Sequence, residues 1–335
     1  PRTKRRRRRY THIYSFRYPS HASKSIASRG RAHRARAPPH TPMRALPCRP
    51  HRAPHSRAST RASHATHKAS DARTRPPSSV VILPGLGNSS DDYVDLVAAL
   101  ARRGHPSTVV DVDRIDWFRN IAGARTRAYW EGSLKPRPTV DWFLEKCETA
   151  TRRARDSNPN ADVVLVAHSA GGWLARVFLD EYASEESVEA IGGLVTLGSP
   201  MTPPPRGVVD QTRGVLTHVR ERCRSAEALR REANVEVTCV AGTYARGRGE
   251  MPRGIADVGA FVAGLGYRQV CGRADAEGDG ITPVETALMP GATHIVLEGV
   301  YHTPLGADDA NGRCWYGSES VLASWADVAL GKSRV

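Results

Sequence analysis

Val163-Val164-Leu165-Val166-Ala167-His168-Ser169-Ala170-Gly171-Gly172-Trp173 is the stretch on which the fold turns. Its apolar, β-branched start has the length and composition of a strand covered on both faces. The small residues after Ser169 make a tight turn, and Trp173 to Tyr182 continues as a helix. A buried strand that feeds a helix is half of a βαβ unit, so the flanking chain should repeat the alternation.

It does so in both directions. Upstream, Val80-Val81-Ile82-Leu83 reads as a strand that stops at Pro84-Gly85, and Asp92 to Arg103 reads as a helix with Val94, Leu96, Val97 and Leu100 at helical spacing. Thr108 to Val112 is a second strand. A loop with Pro136 and Pro138 leads to a helix over Val140 to Arg155 and then the strand Asp162 to Ala167. Downstream strands fall within Val188 to Leu197, Val235 to Ala241 and His294 to Glu298. Short buried runs alternating with amphipathic stretches predict an α/β fold: a mostly parallel central sheet with helices on both faces. No internal repeat is apparent. Residues 201–234 and 243–275 suit either a lid over a substrate pocket or an ordinary surface connection.

The Ala167-His168-Ser169-Ala170-Gly171 turn resembles the G-x-S-x-G nucleophile elbow, with Ala in place of the first Gly. The elbow holds its serine in strained backbone geometry, so the residues two before and two after it must be small. Ala167 and Gly171 meet that need, and the following helix points its positive end at the turn. A serine hydroxyl is a weak nucleophile at neutral pH and needs a base, and that base needs a carboxylate to orient it.

Five histidines follow residue 77. His105 and His218 do not follow a late strand, His168 is directed away from its neighbour by the turn and packs beneath it, and His294 begins the last strand as a partly buried sheet residue. His302 follows that strand on a loop and can swing over the strand ends, where ligands gather in open parallel sheets. For the acid, Gly278-Asp279-Gly280 lets the backbone turn and present a carboxylate, with Asp275 and Glu277 as nearby alternatives. The resulting order, Ser169, Asp279, His302, is the one the elbow fold uses. Acyl transfer also needs donors for the developing oxyanion, each worth about 3 to 4 kcal/mol. The backbone N–H groups of Ala170 and of Leu86, in Pro84-Gly85-Leu86-Gly87-Asn88, are the candidates. Gly85-Leu86-Gly87 lacks the third glycine of a dinucleotide-binding loop, and no P-loop lysine is present.

Charge separates the chain into two parts. Residues 1–77 hold 21 Lys and Arg against one acid, Asp71, whereas the remainder has 28 bases and 33 acids, so the overall +15 comes from the N-terminal segment. That segment shows no apolar periodicity and is expected to be disordered. Its Arg5 to Arg9 run would suit a phosphate-binding arm, but an Arg- and Ser-rich, acid-poor composition also describes a transit peptide. The chain begins at Pro1 and its first Met is Met43, so residues 43–77 are expected to direct import into a chloroplast, with a mitochondrion as the alternative, and residues 1–42 to be upstream sequence. The six cysteines are scattered without C-x-x-C spacing, which suggests neither a zinc site nor a disulfide framework.

With these residues placed, 78 to about 328 resembles the α/β-hydrolase superfamily, especially the lipase-like hydrolases of plants, algae and cyanobacteria. LPGLGNSSDDY (83–93), VAHSAGGW (166–173), TLGSPMTPPP (196–205), GDGITPVETA (278–287) and GVYHTPLG (299–306) are similar to its signature segments. The resemblance implies an eight-stranded core or a variant lacking the first strands, a Ser-Asp-His triad and no cofactor; beside it, no metal is expected and no obligate protein partner is inferred. The chemistry it implies is hydrolysis of a carboxylic ester, with lipid esters favoured by the resemblance alone and peripheral membrane contact compatible with them. An acyltransferase, a thioesterase and an inactive binding module are the competing readings. No nucleic-acid partner is expected.

Overall fold

A computed structural model describes residues 78–331; the expected transit segment, 43–77, and the upstream stretch, 1–42, lie outside the described residues. The strands are β1 (Ser79–Leu83), β2 (Ser107–Val109), β3 (Val163–His168), β4 (Ile191–Leu197), β5 (Glu236–Thr243), β6 (Ala245–Arg246), β7 (Glu277–Gly278) and β8 (Thr293–Glu298). The helices are α1 (Val94–Arg102), α2 (Arg127–Glu131), α3 (Asp141–Ser157), α4 (Ala170–Glu181), α5 (Glu185–Ala190), α6 (Val215–Arg222), α7 (Ala226–Ala233), α8 (Ile255–Cys271), α9 (Val284–Ala287) and α10 (Glu319–Leu330). Six strands form one sheet in the order β2-β1-β3-β4-β5-β8, every pair parallel, and β6 and β7 form a small antiparallel pair. This is the α/β-hydrolase architecture.

The period-two alternation of side chains divides the core into two layers. Val81, Leu83, Leu165, Ala167, Leu194 and Val237 point to the face covered by α3, α4, α6 and α7. Val80, Ile82, Val164, Val166, Val195 and Leu197 point to the other, where Leu96 and Leu100 of α1 and Leu322 and Trp325 of α10 cover them. Each fully buried Ile, Leu or Val of this kind contributes about 1.5–3 kcal/mol by leaving water. The edge strand β8 is the exception: Ile295 and Leu297 pack against the second layer, but His294 and Val296 are exposed.

The second strand is shorter than expected from the sequence. Val110 still donates to Ile82 O at 2.9 Å, after which the chain leaves the sheet for a 3₁₀ helix, Arg114–Arg125, whose Trp117 is buried against Trp142 and Phe143. Residues 201–234 form the β4–β5 crossover, and Val215, Leu216, Val219 and Leu229 lie in the first core layer. The apolar side chains of α6 and α7 are thus committed beneath the sheet, whereas Val209, ahead of them in the same crossover, is exposed. Residues 243–275 contain β6 and α8; α8 packs Ala263 and Tyr267 against Ala276 and leaves Ile255, Val258, Val262 and Leu265 exposed. Among the described residues no helix is long and apolar enough to cross a membrane.

Candidate active site

Parallel register brings the carboxyl ends of the strands to one edge of the sheet. Leu83 is level with Ala167, and Ala167 with Thr196. The loops that leave these strands therefore gather the glycine loop 85–88, Ser169 and Gly198 at one place. The loop after β8 adds His302, and the turn after β7 adds Asp279.

Ser169 joins β3 to α4 with φ 51° and ψ −122°, a backbone conformation that L-residues seldom adopt. The surroundings hold it there: Ser169 N–H donates to Leu197 O at 2.9 Å, and a Cβ at Gly171 would come within 2.6 Å of Leu83 O. The smallness demanded at that position is thus a backbone contact.

His302 Nε2 lies 3.0 Å from Ser169 Oγ, and His302 Nδ1 lies 2.7 Å from Asp279 Oδ2. The carboxylate can only accept, so Nδ1 carries the hydrogen and Nε2 is free to take the serine proton. Asp279 is fully buried and His302 nearly so. A buried carboxylate is costly unless its lone pairs are satisfied, and Asp279 has three further donors: Tyr316 OH to Oδ2 at 2.7 Å, and the N–H groups of Ile281 and Thr282 to Oδ1 at 3.0 and 2.7 Å. Burial holds the Tyr316 phenol well above its ordinary pKa, so it stays protonated and donates; its oxygen in turn accepts Gly242 N–H at 2.9 Å. Gly198, at φ +57°, makes room for this cluster, since a Cβ there would stand 2.5 Å from Asp279 Oδ2 and 2.8 Å from Tyr316 OH.

Ala170 is the first residue of α4, so its N–H has no partner within the helix. Leu86 sits on the glycine loop, 64% exposed, in a turn closed by Asn88 N–H to Gly85 O at 3.0 Å and anchored by Trp117 Nε1–H to Asn88 O at 2.8 Å.

The other sequence candidates lie apart. Asp275 and Glu277 are exposed. His105 meets Ser78 O at the amino end of β1, and His218 pairs with Glu181 at 2.6 Å. His294 is exposed on β8 rather than partly buried, and its Nε2 meets Met289 O at 2.7 Å. His168 lies beneath the turn, buried, between Tyr93 and the His302 carbonyl. Among the described residues no group of three or more His, Cys, Asp or Glu is placed to hold a metal ion. Sequence reasoning missed Tyr93 and Tyr316. Both lie in largely polar stretches, Asn88 to Asp95 and Asn311 to Glu319, so nothing local marks them as buried hydroxyls in need of a partner.

A family model for the PGAP1-like alpha/beta domain matches residues 79–248, just over half of the chain. The chain belongs to that family. The matched span carries the glycine loop, the turn at Ser169 and strands β1 to β6, and ends before Asp279 and His302, so the PGAP1-like match covers the serine's half of the site. No curated protein matches. Among solved structures, a gene product of Listeria innocua is 13% identical with a TM-score of 0.44, covering 77% of this chain and 96% of its own. A bromoperoxidase from Bacillus anthracis is 14% identical, TM-score 0.36, covering 70% and 88%. The catalytic core domain of the acetyl xylan esterase from Trichoderma reesei is 14% identical, TM-score 0.26, covering 41% and 79%.

Proposed function

We propose that this PGAP1-like chain is a serine hydrolase of carboxylic esters. The observation that carries the reading is the unbroken hydrogen-bond path from Ser169 Oγ through His302 to Asp279, ending on a buried carboxylate with three other donors. Ser169 attacks the acyl carbonyl as His302 Nε2 takes its proton, and Asp279 stabilises the imidazolium without itself being protonated. The oxyanion falls to the N–H groups of Leu86 and Ala170. Collapse of the tetrahedral adduct passes the proton from His302 to the leaving alcohol. A water deprotonated by His302 then attacks the acyl-enzyme, and the released acid leaves as His302 returns the proton to Ser169 Oγ.

Apolar esters, lipid esters included, are the proposed substrate class. Leu86, Ile281 and Leu305, each within three residues of Gly85, Asp279 or His302, are roughly half or more exposed, and Tyr244 meets Tyr301, one residue from His302, edge to face. Exposed apolar groups grouped around a site mark an apolar ligand or surface. Peripheral membrane contact is compatible with this rim, and plastid import of the chain through residues 43–77 is part of the proposal; a fluorescent fusion of that segment that stayed in the cytosol would exclude import.

Labelling by a fluorophosphonate tests the enzymatic reading. Wild type should label and turn over p-nitrophenyl esters, and Ser169→Ala should do neither. Equal labelling of both proteins, or none of wild type, overturns it.

A further inference from the structure

We infer that His168 and Tyr93 are positioning residues, a buried pair that ties the oxyanion loop and the His302 loop to the turn carrying Ser169. The inference rests on the function proposed above.

Gly85 N–H donates to Tyr93 OH at 2.9 Å, Tyr93 OH lies 2.8 Å from His168 Nδ1, and His168 Nε2 lies 2.8 Å from the His302 carbonyl oxygen. Tyr93 is fully buried and His168 1% exposed. The path starts on the residue before Leu86, runs through the residue before Ser169 and ends on His302. Each of the three loops that must meet for acyl transfer thus contributes one member, although 134 residues separate His168 from His302.

The direction of every bond follows from its ends. The His302 carbonyl can only accept, so His168 Nε2 carries the hydrogen. Burial, with His302 nearby, pushes the His168 pKa down to about 3, so the ring is neutral and Nδ1 is an acceptor. Tyr93 therefore donates to Nδ1, and its lone pair takes Gly85 N–H. The reverse tautomer would leave the Tyr93 hydroxyl hydrogen without its acceptor and the His302 carbonyl facing a bare nitrogen. A pair of buried rings needed only for packing, with centroids 5.9 Å apart, would not need this ordered polarity; Phe or Leu would fill the same space.

The consequence for chemistry is geometric. An oxyanion donor counts only when it reaches within about 2.7–3.1 Å of the developing charge, and loss of one donor costs about 10²–10³ in kcat. Releasing Gly85 from Tyr93 frees the loop that presents Leu86 N–H. The exposed apolar rim that would hold the substrate stays as it was, so the loss should appear in kcat rather than KM.

Three variants separate the two ends of the path. Tyr93→Phe removes the hydroxyl alone. His168→Gln keeps a donor where Nε2 stood and loses the acceptor for Tyr93; His168→Asn keeps an acceptor where Nδ1 stood and loses the bond to His302. Kinetics on a p-nitrophenyl ester and hydrogen exchange of the 84–88 segment are measured together, with thermal unfolding as the check on folding. Tyr93→Phe and His168→Gln should each lower kcat by about 10- to 100-fold with KM within threefold, and raise exchange at 84–88 at least about tenfold. The Tyr93→Phe/His168→Gln double variant should be no worse than the poorer single one, because both break the same bond. His168→Asn should leave exchange at 84–88 near wild type while kcat falls. Folded Tyr93→Phe and His168→Gln proteins with wild-type kcat, or with unchanged exchange, overturn the inference. Should wild type itself fail to turn over esters or label at Ser169, the proposed function falls, and the exchange result alone decides the positioning role.

Discussion

Tyr316 donates its phenolic hydrogen to Asp279 Oδ2 at 2.7 Å, the same oxygen that accepts Nδ1–H of His302. The residue sits just before α10, 37 positions from the acid, so the C-terminal helix, through its packing beneath the sheet, also aims the carboxylate.

Tyr316→Phe should therefore cost both stability and turnover. It removes one of four donors to a buried carboxylate and leaves Gly242 N–H without its acceptor. Each such loss is about 1–3 kcal/mol, so urea unfolding should show a decrease of about 2–4 kcal/mol, with kcat down roughly tenfold. A protein as stable and as active as wild type would show that Asp279 does not depend on this hydroxyl.

Gly198→Ala should be more severe for activity than its size suggests. The added methyl would press on both Asp279 Oδ2 and Tyr316 OH, and φ +57° is strained for any Cβ-bearing residue, at about 1–3 kcal/mol. We expect a loss of at least about 100-fold in kcat, in line with displacement of a group that must be placed to within an ångström. Circular dichroism should still report the fold.

The two late histidines should differ sharply. His302→Ala removes the proposed base and should lower kcat by about 10⁴–10⁶. His294→Ala, on exposed β8, should stay within about threefold of wild type. Comparable losses in both would reject His302 as the base.

Stability should fall with acidity because of His168. Its folded-state pKa is depressed, from 6.5 to about 3. The neutral ring thus stabilises the fold fully above about pH 6.5, and that contribution is lost as pH falls towards 3, where the unfolded chain binds one proton more. The slope is about 1.4 kcal/mol per pH unit within that window. Urea titrations between pH 7 and 4 should show a flatter dependence for His168→Gln than for wild type, and parallel curves would contradict the assignment of a neutral buried ring.

Arg176 carries a prediction about the crossover. Its guanidinium is buried on α4, and Nη2 faces the carbonyls of Val219, Cys223 and Arg224 at 3.1–3.2 Å, at the end of α6. Arg176→Met should leave those carbonyls uncapped and cost about 2–4 kcal/mol in thermal or urea unfolding, with little change in KM for the ester. A neutral outcome would mean that water takes the place of the guanidinium.

The six strands of the main sheet, the helices on both its faces and the turn at Ser169 were legible in the sequence, because each depends on residues within a few positions of one another: buried runs, helical spacing and small residues around one serine; the short pair β6 and β7 was not. The order of Ser169, Asp279 and His302 was legible too, since only five histidines follow residue 77 and one of them sits on a loop after the last strand. The 3₁₀ helix over Arg114–Arg125, with little apolar periodicity, was not. Nor were the partners of the site, Tyr93 for His168 and Tyr316 for Asp279, or the role of Gly198 beside that acid. Those contacts join residues 37 to 81 positions apart. Local propensity says nothing about them; the parallel register of the sheet and the packing of α1 and α10 beneath it decide which buried hydroxyl meets which ring or carboxylate.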